Sequence, residues 1–171
     1  MVDKNDRILG KAEKMAVHKQ GKLHRCFSIF IFNSKDELLL QKRAASKYHS
    51  PGLWSNTCCS HPRPGKKLLA EARKRLKEEM GFTCPLKEQF SFVYRVELGD
   101  LIEYEVDHVL TGRFDGAPKP NKDEADDWQW RDVGTLKKDI KKYPEKYTYW
   151  FKKVLNKVIL SRRCKAKKKT T

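Results

Sequence analysis

The stretch His24-Arg25-Cys26-Phe27-Ser28-Ile29-Phe30-Ile31-Phe32 is bulky almost throughout. A strand with one wet face alternates apolar and polar residues; a run like this one reads as a strand covered on both faces. Asn33-Ser34-Lys35-Asp36 follows as a turn cluster, and Glu37 to Arg43 reads as the returning strand of a β-hairpin. Residues 44–65 read as a long loop, and 66–80 as a helix stopped by Gly81. Gln89–Glu97 and Ile102–Phe114 alternate as strands, 115–127 is a Pro- and acid-rich loop, and 127–133 is a short strand. Two helices close the chain, the second over about 145–163 with Phe151, Val154, Leu155, Val158 and Ile159 as its apolar stripe. Strands lead and helices interleave, which gives an α/β (α+β) class: a mixed sheet with helices on both sides.

The chain has 171 residues, consistent with one domain over residues 1–160. It carries a net charge of +16. Arg162, Arg163, Lys165, Lys167, Lys168 and Lys169 crowd the end, so 161–171 reads as a basic, disordered tail. The other lysines are spread along helices with no RNA-binding signature or zinc-finger spacing, so nucleic acid is not the expected partner. No run of about 18 apolar residues is present, and no membrane insertion is expected. The five cysteines form no disulfide framework and the N-terminus shows no apolar leader, which suggests a reduced, cytoplasmic protein.

The loop carries the chemistry. Ser55-Asn56-Thr57-Cys58-Cys59-Ser60-His61-Pro62 puts a thiol, a soft acid/base group or ligand, beside an imidazole that can bind metal or carry a proton. Glu79 falls between Leu68 and Ala72 on the apolar stripe of the helix, whereas Glu78 faces away. A carboxylate there needs a partner: either an arginine such as Arg75 or, preferred here, a metal ion. Glu103 and Glu105 share one strand face and, with His18, His24 and His61, make a five-ligand set for a divalent ion. Such mixed nitrogen and oxygen donors suit zinc, manganese or iron better than magnesium. Glu79 alone, a hard carboxylate, suits magnesium completed by substrate phosphates, which Arg43, Lys47 and Arg75 could grip.

Taken together, Lys14-Met15-Ala16-Val17-His18, Leu23-His24, Lys42 to Lys47, Trp54 to Pro62, Arg75 to Gly81, Tyr94-Arg95, Glu103 to Val106 and Trp128-Gln129-Trp130 resemble the type I isopentenyl-diphosphate isomerases of the Nudix superfamily. The resemblance spans about Lys14 to Phe151 and implies a Nudix-like α/β/α sandwich. The Nudix box of the hydrolases, Gly-x5-Glu-x7-Arg-Glu-u-x-Glu-Glu-x-Gly (u apolar), is degraded: aligned on Gly81, its Arg-Glu pair falls on Lys74 and Arg75, its first glycine on Ser60 and its first glutamate on Lys66. Of its glutamates the pair Glu78 and Glu79 survives, and the loss of the other carboxylates disfavours nucleoside-diphosphate hydrolysis.

The resemblance implies interconversion of isopentenyl and dimethylallyl diphosphate, an isoprenoid-pathway reaction, through a tertiary carbocation. Cys59 and Glu105 would flank the substrate, Tyr94 would orient Glu105, and Trp130 would face the cation. Lys14, Arg43, Lys47 and Arg75 would hold the diphosphate. Glu79 would take Mg2+ on the diphosphate, and His18, His24, His61, Glu103 and Glu105 a second divalent metal (Mn2+, Zn2+ or Mg2+). His49 and His108 match no ligand position, Cys58 reads as packing, and Cys26 and Cys84 read as small buried residues. A monomer and a homodimer are both compatible with the sequence.

Overall fold

The computed structural model describes residues 1–167, with side chains through residue 162. The elements are α1 (Lys14–Lys19), β1 (His24–Phe32), β2 (Leu38–Arg43), β3 (Trp54–Ser55), β4 (Cys58–Ser60), α2 (Leu68–Met80), β5 (Lys87–Leu98), β6 (Leu101–Arg113), β7 (Ala125–Arg131), α3 (Val133–Lys142) and α4 (Tyr149–Lys167). Seven strands form one sheet with the path β3-β2-β1-β6-β5, β4 added to β1 and β7 to β2. The β1–β6 pairing is parallel and the other pairings are antiparallel, so the sheet is mixed.

β1 is covered on both faces, as its composition requires. Phe27, Ile29 and Ile31 pack with Leu39 under Ala72, Leu76 and Met80 of α2. On the other face Phe30 and Phe32, with Leu38, Leu40 and Val109, pack under Phe151, Val154, Leu155 and Val158 of α4. The architecture is the expected α/β/α sandwich.

On the α4 side, β1 changes character along its length. His24, Cys26 and Ser28 precede Phe30 and Phe32, and the neighbouring β6 runs Glu103, Glu105 and Asp107 before Val109. Because the two strands are parallel, their polar halves lie together: His24 pairs with Glu105 and Cys26 with Asp107. One end of this layer is therefore apolar core, and the other is a polar cleft floor.

Three boundaries differ from the sequence reading. The supposed loop 44–65 contains β3 and β4, and the reactive unit begins in a strand: Ser28 pairs with Cys59 and Ile29 with Cys58. Side chains satisfy the backbone there, since Thr57 Oγ1 accepts from Ile31 N (3.0 Å) and donates to Leu39 O (2.7 Å). Residues 1–23, unassigned from sequence, hold α1, whose N-cap Glu13 accepts from the backbone N–H groups of Met15 and Ala16. α4 continues through Lys167, well into the expected free tail; residues 168–171 lie outside the described residues.

Gly81 ends α2 in the left-handed region at φ 77°, where a Cβ would lie 2.5 Å from the Lys119 carbonyl oxygen. Gly81→Ala is expected to destabilise the protein by about 2 kcal/mol or more, since it adds a backbone clash to the left-handed penalty. A thermal melt lowered by about 4–8 °C would register it.

Candidate active site

A cleft opens over the polar halves of β1 and β6. Its floor carries Cys26, Ser28, Glu103 and Glu105, one wall carries Cys59, Ser60 and His61, and Tyr94 and Trp150 close it. Lys14, Arg43, Lys47, Tyr48 and His49 complete the lining. β1 runs between β4 and β6, so Cys59 and Glu105 stand on either side of it. They are two strand spacings apart across the sheet and four residues apart along β1, from His24 opposite Glu105 to Ser28 opposite Cys59, which leaves room for a small substrate between the side chains.

Glu105 is almost wholly buried and every oxygen is engaged. Oε2 accepts from the Tyr94 hydroxyl and from Cys26 Sγ (2.9 Å). Oε1 lies 2.9 Å from His61 Nε2, 3.3 Å from His24 Nε2 and 4.0 Å from His18 Nε2. Burial pushes the Glu105 carboxyl up, but the hydrogen bonds and charge of His24 and His61 prevail and hold it well below the usual range. Burial and the Glu105 charge push Glu103 the other way, to about 8. Glu103 Oε2 lies 3.0 Å from the Tyr94 hydroxyl, whose single hydrogen goes to Glu105, and Oε1 lies 3.3 Å from His49 Nε2. Tyr94 thus bridges the two carboxylates, and desolvation and their charges raise its own pKa well above normal.

The ligand atoms of His18, His24, His61 and Glu105 all lie within 4.8 Å of one another. Their surroundings fit a cation. His18 Nδ1 and His24 Nδ1 bond the backbone carbonyls of Lys14 (2.7 Å) and Lys22 (2.8 Å), which fixes the rings and turns both Nε2 atoms inward. His18 Nε2 is buried without a hydrogen-bond partner, and His24 Nε2 meets His61 Nε2 at 3.1 Å. Burial lowers the pKa of His61 to about 4, which keeps its lone pair available. Glu103, expected as a fifth ligand, is outside this group and is taken up by Tyr94 and His49.

Cys59 is held as closely. Asn56 Nδ2 and Oδ1 lie 3.0 and 3.2 Å from its sulfur, and Ser28 Oγ lies at 3.4 Å. Asn56 is itself fixed by donating to Ile29 O and Cys58 O (both 3.1 Å). Burial raises the thiol's pKa, so the proton stays on sulfur until something takes it. Cys58, one residue earlier, is fully buried in the core under α2, and Cys84 is buried in the same core.

Two expected residues are elsewhere. Trp130 pairs with Leu39 on β2 and packs with Trp128 against the core under α2, on the face of the sheet away from the cleft. Period-2 alternation puts Trp130 and Leu39 on that side together. The tryptophan in the cleft is Trp150, at the start of α4; it donates from Nε1 to Ser55 Oγ (3.0 Å), and its ring lies 5.4 Å from the Arg43 guanidinium. Arg75 is likewise absent from the cleft lining. It binds Glu78 (2.7 Å), Glu79 (2.8 Å) and Glu124 (2.8 Å), and Glu124 in turn binds Lys47 (2.6 Å). Glu79 has therefore taken the arginine partner weighed as its alternative. The buried Gln41 Oε1, whose amide nitrogen is 3.5 Å from Glu79, has no partner.

No chemical role was expected for His49, Cys26, Ser28 or Asp107. His49 lines the cleft, where burial lowers its pKa to about 3, and Cys26 bonds Glu105. The pattern that could have found Cys26 and Ser28 is the period-2 step from His24 along β1. His108 sits between Glu88 (2.7 Å) and Asp6 (3.0 Å), outside the imidazole cluster.

Residues 22–151 match the NUDIX domain family. The chain is 55% identical over 163 residues to isopentenyl-diphosphate Delta-isomerase 1 of Aromatoleum aromaticum, covering 95% of this chain and 92% of that protein. It is 55% identical over 157 residues to isopentenyl-diphosphate Delta-isomerase 2 of Photorhabdus laumondii, covering 91% and 89%. In fold it is similar to a crystal structure of a Deinococcus radiodurans protein (TM-score 0.73, 19% identity, 95% and 96% coverage). It is also similar in fold to the MutT protein of Methanosarcina mazei (TM-score 0.58, 20% identity, 67% and 80% coverage). The family match and the two close relatives, both covered nearly end to end, agree with the motifs from Lys14 to Phe151: the chain belongs to the type I isopentenyl-diphosphate Delta-isomerases of the Nudix superfamily.

Proposed function

We propose that this cleft interconverts isopentenyl and dimethylallyl diphosphate by an allylic proton shift, with Cys59 and Glu105 as its two proton-handling groups. The observation that carries this reading is their placement on either side of β1, in one cleft, each locked by its own hydrogen bonds. One group delivers a proton to C4 and the other removes one from C2, so the double bond moves with no net change in protons. Tyr94, bonded to Glu105 Oε2, fixes that carboxylate and can pass its proton.

A divalent ion, Mn2+, Zn2+ or Mg2+, suits His18, His24, His61 and Glu105; when bound, it supplies Lewis acidity beside the proton-handling carboxylate. Lys14, Arg43 and Lys47, lining the cleft, are the basic groups for the diphosphate. Glu79, with the unpartnered Gln41 Oε1 nearby, is the carboxylate offered to the magnesium of that diphosphate, which would take the place of Arg75 on it. Unpaired thiols at Cys26, Cys58, Cys59 and Cys84 suit a reducing cytoplasm. No described helix is long and apolar enough to cross a membrane.

Trp150 takes the role first given to Trp130. An aromatic face stabilises a neighbouring cation by about 0.5–2 kcal/mol, or more when desolvated. Trp150→Ala is therefore expected to lower kcat about 10-fold or more. Trp130→Ala should cost stability and leave kcat within about twofold. Steady-state assays with thermal melts on both variants separate the two. Incubation of the protein with isopentenyl diphosphate and magnesium tests the reaction itself: dimethylallyl diphosphate should form without phosphate release, and phosphate release instead would favour a hydrolase.

A further inference from the structure

We propose that Asp107 and Ser28 are positioning residues for Cys59: the buried carboxylate fixes the serine hydroxyl, and the hydroxyl fixes the thiol. The proposal rests on the reading of Cys59 as a proton-handling group. Asp107 is wholly buried on the cleft side of β6, two residues beyond Glu105, and Ser28 is buried on β1 two residues beyond Cys26, the register partner of Asp107. Ser28 Oγ donates to Asp107 Oδ2 at 2.8 Å and lies 3.4 Å from Cys59 Sγ. Among the described residues no lysine or arginine pairs with Asp107, and its Oδ1 has no hydrogen-bond partner.

A buried carboxylate without a cation costs stability, and an apolar residue would pack there more favourably. The fold alone gives no reason for it; the contact chain to the thiol does. A serine has one hydroxyl hydrogen. With that hydrogen committed to Asp107, the oxygen meets Cys59 only as an acceptor. Asn56 grips the sulfur from its own side at 3.0 and 3.2 Å, so the thiol is held between two partners and its rotation is restricted. Proton transfer falls off steeply with misplacement of the donor, whereas diphosphate binding is set by the basic residues of the cleft lining and does not depend on this pair.

Ser28→Ala, Ser28→Thr and Asp107→Asn, made in the full chain, test the proposal beside Cys59→Ala. Ser28→Ala is expected to lower kcat about tenfold or more with KM for isopentenyl diphosphate within about twofold, and Ser28→Thr, which keeps the hydroxyl, to recover most of the rate. Asp107→Asn should lower kcat without lowering the melting temperature, because it removes a buried charge at constant shape. A Ser28→Ala kcat within about twofold of the parent, beside an inactive Cys59→Ala, overturns the proposal and leaves the role of Cys59 standing. Ser28→Thr as slow as Ser28→Ala also overturns it. Activity in Cys59→Ala would overturn the underlying reading as well. If Ser28→Ala does not fold, Asp107→Asn decides, and an unchanged kcat there refutes the link.

Discussion

Cys59→Ala is expected to lower kcat by about 10³–10⁴-fold while KM for isopentenyl diphosphate stays within a few-fold, since a positioned acid or base contributes about 10²–10⁴. The residue is small, and its sulfur meets the Asn56 and Ser28 side chains. The basic residues lining the cleft are untouched, so the variant should still bind the diphosphate and melt close to the parent. Inhibitor binding by calorimetry, with steady-state kinetics, separates lost chemistry from lost binding. A fall in affinity equal to the fall in rate would place Cys59 among the binding groups instead.

Glu105→Gln is expected to lose two functions at once. The carboxylate is bonded by Tyr94 and Cys26 on one oxygen and lies against His61 and His24 on the other. The amide keeps the shape but removes the charge that the imidazoles face, and half of its end becomes a donor. Activity should fall by about 10³-fold or more. Metal retained after dialysis should fall with it, because one of the four clustered ligands has gone. Elemental analysis of the dialysed protein reads this directly. Full metal content in an inactive variant would show that Glu105 handles protons without holding the ion.

The two-faced burial of β1 was legible in its composition, because residues apolar at nearly every position need cover on both sides. The α2 stripe was legible for the same kind of reason, and it pointed Glu79 inward, where it is buried. Which partner Glu79 takes was not legible: Arg75, one turn earlier on the same helix, competes with any ion for it. The choice between Trp130 and Trp150 was also beyond one-dimensional pattern. Both are aromatic residues in regular elements, and only the sheet order and the seating of α4 decide which face of the sheet each one reaches. The strand character of Cys58–Ser60 was hidden because its partners are the Asn56 side chain and a distant strand. His49 was passed over because its contact, Glu103, lies far away in the chain.

The most direct measurement is proton NMR of isopentenyl diphosphate incubated with the purified protein and magnesium in D2O, run beside Cys59→Ala. Dimethylallyl diphosphate carrying deuterium at C4, formed by the parent and not by the variant, is the expected result. Product formed without solvent deuterium, or equally by both proteins, would contradict a proton shift carried by Cys59 and Glu105.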